Sequence, residues 1–117
     1  MHVEIRKVKD VVIVDLSGKL TAGLGDRILH DTIEVLLADK WQKILLNLSQ
    51  VSFMDSAGVG ELVAGLRVAK SHGARLALLN LTERVQSTLY IARLLPVFEL
   101  YQTEADALRD FGAGGAA

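Results

Sequence analysis

The chain has 117 residues, half of them hydrophobic, with 13 Lys+Arg against 14 Asp+Glu, no cysteine and one proline. That length supports one small domain that hides about 65% of its unfolded surface in a single core, so disorder is excluded for most of the chain. A net charge of -1 gives no reason to expect nucleic acid or an anionic membrane as partner, and the missing cysteines exclude disulfides, thiol redox chemistry and cysteine-based metal sites.

Met1 to Asp10 lacks the apolar block of a signal peptide, and no apolar run approaches the roughly 20 residues needed to cross a bilayer. A cytoplasmic protein is expected. Val3 to Val8 alternates apolar and charged residues, the period of a half-exposed strand, and Lys9-Asp10 makes a tight turn. Val11 to Leu16 is almost continuously apolar and β-branched, as a strand covered on both faces would be. These two strands are expected to form a hairpin at one end of a sheet.

Ser17-Gly18 reads as the end of the second strand, and Thr21 to Gly25 as a loop of small residues. Ile28, Leu29, Ile33, Leu36 and Leu37 then recur at helical spacing, predicting a first helix from about Asp26 to Asp39. Ile44 to Leu48 is a short apolar strand that Asn47-Leu48-Ser49-Gln50 carries into a loop. From Ala57 to His72 the positions Val59, Leu62, Val63, Leu66 and Ala69 share one helical face, and Gly73 takes the C′ position.

Arg75 to Leu81 predicts another buried strand, and Thr82 with Glu83 opens a helix carrying Val85, Leu89, Ala92 and Leu95 that Pro96 stops. Val97 to Tyr101 is a last strand, and Thr103 caps a final helix with acidic residues in its first turn. The fold class is therefore α/β: about five strands and four helices, with the later strands parallel and joined by right-handed crossovers. Residues 1–111 form the domain and residues 112–117 a Gly/Ala tail expected to be flexible.

The usual catalytic templates are missing. There is no Gly-x-Ser-x-Gly elbow, no Walker loop, no Gly-x-Gly-x-x-Gly after a strand and no His-Glu-x-x-His. His2, His30 and His72 are scattered and read as surface histidines. A phosphoreceiver domain would need paired acids after the first strand and a lysine after the last, and both are absent. No cofactor is expected.

What remains is Val51-Ser52-Phe53-Met54-Asp55-Ser56-Ala57-Gly58-Val59-Gly60. Ser56 falls where an apolar segment turns into a helix, the N-cap position. One reading is a hydroxyl that caps a backbone N–H, contributing about 1 kcal/mol. The other is a modifiable serine, since a helix N-terminus stabilises a phosphate by about 0.3–1 kcal/mol. Gly58, Gly60 and Gly65 each cost the helix about 0.8–1 kcal/mol relative to alanine, so close approach of another surface is expected. Packing of the helix on the sheet is the structural explanation, best suited to Gly65. Phe53 and Met54 are either an interaction patch or core.

The segment around Asp55-Ser56-Ala57-Gly58-Val59-Gly60, with a strand before it, a strand after Gly73-Ala74 and Gly18-Lys19-Leu20 behind the second strand, resembles the signature of STAS domains, the family of bacterial anti-sigma factor antagonists. The resemblance covers about Val3 to Phe111. It implies a STAS-like single domain with a mixed, mostly parallel sheet and a non-enzymatic role in partner switching that regulates transcription. The resemblance further implies that Ser56, by position, is the residue expected to be phosphorylated by an anti-sigma factor serine kinase and dephosphorylated by a PP2C-type phosphatase. On that resemblance the unphosphorylated form is expected to bind the kinase, through Phe53, Met54, Asp55, Ser56, Ala57, Gly58, Val59, Gly60 and Thr21. Thr21 stands where the family commonly has an acid, and Asp26 is the nearby acid that could substitute. The competing reading is a STAS-type scaffold or sensing module that binds a nucleotide or small apolar ligand or assembles with itself, with Ser56 only a cap.

Overall fold

The computed structural model describes residues 1–112. The Gly/Ala tail, from residue 113 onward, lies outside the described residues. The chain runs β1 (His2–Val8), β2 (Val11–Leu20), α1 (Leu24–Ala38), β3 (Lys43–Met54), α2 (Ser56–Ser71), β4 (Arg75–Leu79), α3 (Glu83–Ile91), a 3-10 turn (Leu95–Val97), β5 (Glu99–Tyr101) and α4 (Glu104–Asp110). The five strands stand in the order β1-β2-β3-β4-β5. β1 pairs antiparallel with β2, and every later pair is parallel.

The continuous apolar run of β2 is explained by cover on both faces. Val12, Val14 and Leu16 join Leu29, Ile33, Leu62, Leu66, Val85 and Leu89 under α1, α2 and α3. Val11 and Ile13 face the other way, into a smaller cluster with Leu45, Ala77, Leu79, Ala107 of α4 and Phe111 just after it. Burying a Leu or Ile side chain of this kind is worth about 1.5–3 kcal/mol, so these two layers hold the sheet between helices.

Two strands are longer than their sequence suggests. β2 does not end at Ser17-Gly18 but continues to Leu20, and β3 does not become a loop at Asn47 but continues to Met54. The extensions pair with each other, Gly18 with Val51 and Leu20 with Met54. Irregularities between Asp15 and Ser17 and between Gly18 and Lys19 absorb the mismatch. Gly18, at φ +105°, supplies a conformation costly to any other residue. Mutual backbone hydrogen bonding outweighs the weak strand preference of Ser, Gly, Asn and Gln.

Smaller corrections follow the same logic. α1 starts at Leu24, inside the expected loop. β4 stops at Leu79, before Asn80 in the left-handed region, and β5 is only Glu99–Tyr101. α3 ends at Ile91, ahead of Pro96, which sits in the 3-10 turn instead. The remaining boundary signals act as read: Thr82 accepts from the Val85 N–H, Thr103 from the Asp106 N–H, and Gly73 takes φ +70° after α2.

Candidate functional site at the start of the second helix

β2 and β3 are parallel, so their C-terminal ends lie together, and the chain leaves both through short connections into α1 and α2. This is the end of an open α/β sheet where helix N-termini converge. Leu20 ends β2 and Thr21, Ala22 and Gly23 follow it, while Met54 ends β3, Asp55 follows and Ser56 opens α2.

Asp55, not Ser56, is the N-cap of α2. Its backbone is extended and its Oδ1 accepts the Gly58 N–H at 3.0 Å, while Oδ2 accepts the Ala22 N–H at 3.1 Å. The Asp55 N–H in turn donates to the Leu20 carbonyl at 3.3 Å. The N–H groups of Ala22 and then Gly58 hold the Asp55 carboxyl below the usual carboxylate range. Ser56 is the first residue of the helix, exposed, and its hydroxyl makes no hydrogen bond among the described residues. The capping duty expected of Ser56 falls to its neighbour because Asp55 stands one residue earlier, in non-helical backbone, with its carboxylate in reach of the Gly58 N–H.

The three glycines of α2 have three different explanations. A Cβ on Gly58 would lie 2.2 Å from the Leu20 carbonyl oxygen and 2.7 Å from Met54 Cγ, so the helix start is pressed against the end of β2. A Cβ on Gly65 would meet Ile33 Cδ1 at 2.6 Å, which makes it a contact with α1 and not with the sheet. Gly60 has nothing within 4 Å of such an atom and is exposed.

The other candidate residues divide by exposure. Met54 is 2% exposed and Val59 9%; Met54 is therefore core, and Gly58 is buried with it. Phe53 is 38% exposed, with the Arg84 guanidinium 5.8 Å from its ring centre. Ala57 and Thr21 are half-buried, and the Thr21 carbonyl accepts the Asp26 N–H at the start of α1. Asp26 makes no hydrogen bond to Ser56. It lines instead a groove of about 510 Å³ with Gly23, Arg27, His30, Asp31 and Glu61. Sequence reasoning missed Leu24, 68% exposed at the start of α1, and Ala22, tied to Asp55; an apolar residue straight after Ala22-Gly23 was the available signal.

His30 joins α1 to α2: its Nδ1 lies 3.0 Å from Glu61 Oε1 and its Nε2 3.1 Å from Glu34 Oε1. The Glu61 carboxylate, by hydrogen bond and charge, raises its pKa above the usual histidine value.

The family model of the STAS domain matches residues 2–107 of this chain. The chain belongs to the STAS domain family. Among related sequences, this STAS domain is 26% identical over 110 residues to an anti-sigma F factor antagonist of Paenibacillus polymyxa, covering 94% of each. It is also 26% identical to the anti-sigma-B factor antagonist of Bacillus subtilis, over 86% of this chain and 90% of that one. The fold agrees with an anti-sigma-factor antagonist (STAS) domain protein from Planctomyces limnophilus (TM-score 0.81, 17% identity, 94% and 97% coverage). It agrees likewise with the Bacillus cell fate determinant SpoIIAA in its phosphorylated form (TM-score 0.73, 23% identity, 94% and 99% coverage). Among the described residues no helix is long and apolar enough to cross a membrane.

Proposed function

We propose that this STAS domain is an anti-sigma factor antagonist that binds an anti-sigma factor serine kinase when Ser56 is unmodified and releases it when Ser56 is phosphorylated. A PP2C-type phosphatase returns it to the binding form. The names of its relatives support the general role. The observation that carries the switch is the division of labour at α2: Asp55 caps the helix, so the Ser56 hydroxyl is exposed and unengaged.

The physics follows from that arrangement. A phosphate adds about -1.5 to -2 charges at pH 7 on a chain whose net charge is -1. It would stand at the positive end of a 16-residue helix, where anions are tolerated, and beside the ionised Asp55. The fold has nothing to rearrange, because Ser56 contributes neither cap nor core. A partner that had buried a neutral hydroxyl at this helix start would have to bury a dianion, at a cost of several kcal/mol. Binding is lost while stability is kept.

Intact-mass measurement after incubation with a cognate kinase and ATP tests the reading. One added phosphate on the native chain and none on Ser56→Ala is expected; an unchanged native mass overturns it.

One observation favours the second reading, a small-ligand module. Tyr90, Ile91, Arg93, Leu95 and Pro96 line a mainly apolar groove of about 600 Å³, at the end of α3 remote from its N-terminal cap. Thermal stabilisation by a small apolar or nucleotide ligand, with no mass change on kinase treatment, would select it.

A further inference from the structure

We propose that the outer edge of β1 pairs antiparallel with the same edge of a second copy of this chain, about a two-fold axis at Ile5, joining two five-stranded sheets into one. The first observation is which backbone groups face outward. The two-residue turn Lys9-Asp10, with Lys9 at φ 55°, closes the hairpin on the pair Val8 and Val11. In such a hairpin the flanking pair is hydrogen-bonded and the pairs alternate from there. The groups of Val8, Arg6, Glu4 and His2 therefore bond to β2, and those of Val3, Ile5 and Lys7 point away from it. No other described backbone group takes them up.

The second observation is the order of charges. The pairings that use the outward groups and overlap most of the strand are centred on Ile5, on Glu4 or on Arg6. Centred on Glu4 it sets Glu4 opposite Glu4 of the second copy, and centred on Arg6 it sets two arginines together. Centred on Ile5 it sets Glu4 opposite Arg6 twice, at non-hydrogen-bonded positions where side chains are closest. Charged residues usually protect an edge from indiscriminate pairing; here their signs favour one of these three registers.

The side chains are available for it. Glu4 is 69% exposed, with His2 as its contact within the chain at 3.3 Å. Arg6 holds Asp15 and Glu104 with four hydrogen bonds, which leaves one of its five N–H donors. On the opposite face Ile5 is 42% exposed and would meet its own copy. Val3 of the second copy would come opposite Lys7, whose ammonium lies 5.6 Å from the Trp41 ring centre.

Sedimentation of the full chain over a concentration series, with two kinds of variant, tests the pairing. The mass is expected to rise toward that of a dimer, and Glu4→Arg to weaken the dimer about tenfold or more by placing like charges opposite each other, with the unfolding midpoint unchanged. The chain has no cysteine, so Ile5→Cys should cross-link to itself on oxidation. Val3→Cys should not, because in this register the two copies of residue 3 are about 13 Å apart along the strands, beyond disulfide reach. A monomer up to millimolar concentration overturns the proposal. So does an unaffected Glu4→Arg dimer, or Val3→Cys cross-linking as readily as Ile5→Cys.

Discussion

The Asp55 carboxylate accepts the Ala22 N–H at 3.1 Å, fastening the connection after β2 to the start of α2, 33 positions further along the chain. Because its other oxygen caps Gly58, one side chain both starts the helix and holds the neighbouring loop. Asp55→Asn separates the two duties. The amide oxygen still caps, since Asn is as good an N-cap as Asp, but its NH₂ cannot accept from Ala22. The unfolding midpoint should stay close to native, while amide exchange at Ala22 rises about tenfold, the effect of losing one charge-assisted hydrogen bond. Asp55→Ala should lose both. An unaltered Ala22 exchange rate in Asp55→Asn would show that the bond does not order the loop.

Gly58 and Gly60 should respond in opposite directions to the same substitution. Gly58→Ala drives a methyl into the Leu20 carbonyl and should destabilise the domain by about 1–3 kcal/mol. Gly60→Ala meets open space and should stabilise it by about 0.8–1 kcal/mol. If Gly60 is small to admit a partner, that stabilised variant should nevertheless bind the kinase less tightly. Denaturant unfolding with a binding titration reads both.

Ser56→Asp and Ser56→Ala should leave the unfolding midpoint near native, because Ser56 is exposed and its hydroxyl makes no hydrogen bond among the described residues. Their binding should diverge. Ser56→Ala retains the kinase and Ser56→Asp weakens it by about a hundredfold or more, the cost of a like-charge or desolvated anion in an interface. Calorimetric titration checks this; equal affinities would sink the switch while leaving the fold intact.

His30 supplies a pH dependence. Glu61 from α2, with Glu34 and Asp31 from its own helix, favours the imidazolium and raises its pKa in the folded state. A group raised on folding adds stability that is fully present below its unfolded value and is lost as pH rises through the folded one. The domain should therefore lose a little stability as pH rises above the ordinary histidine value, and Glu61→Gln should flatten that slope. Ring-proton titration of His30, with melting curves across the same pH range, measures it.

Much of this domain is legible in one dimension. Apolar runs and helical spacing place all five strands and four helices, and Thr82, Thr103 and Gly73 mark their boundaries, because caps and amphipathic faces depend on residues a few positions apart. The Asp55-Ser56 junction is legible for the same reason. What the chain alone leaves open is what distant segments settle between them. The ends of β2 and β3 are strands because each completes the other's backbone hydrogen bonds. Asp55 is the cap partly because Ala22 comes within reach of it. Gly58, Gly60 and Gly65 look alike in sequence, yet one faces Leu20, one Ile33 and one open space. Composition and local spacing determined the elements and the Asp55-Ser56 junction; tertiary packing decided that Asp55 also holds Ala22, which glycine is forced, and which edge stays unpaired, since those depend on atoms brought together only by folding.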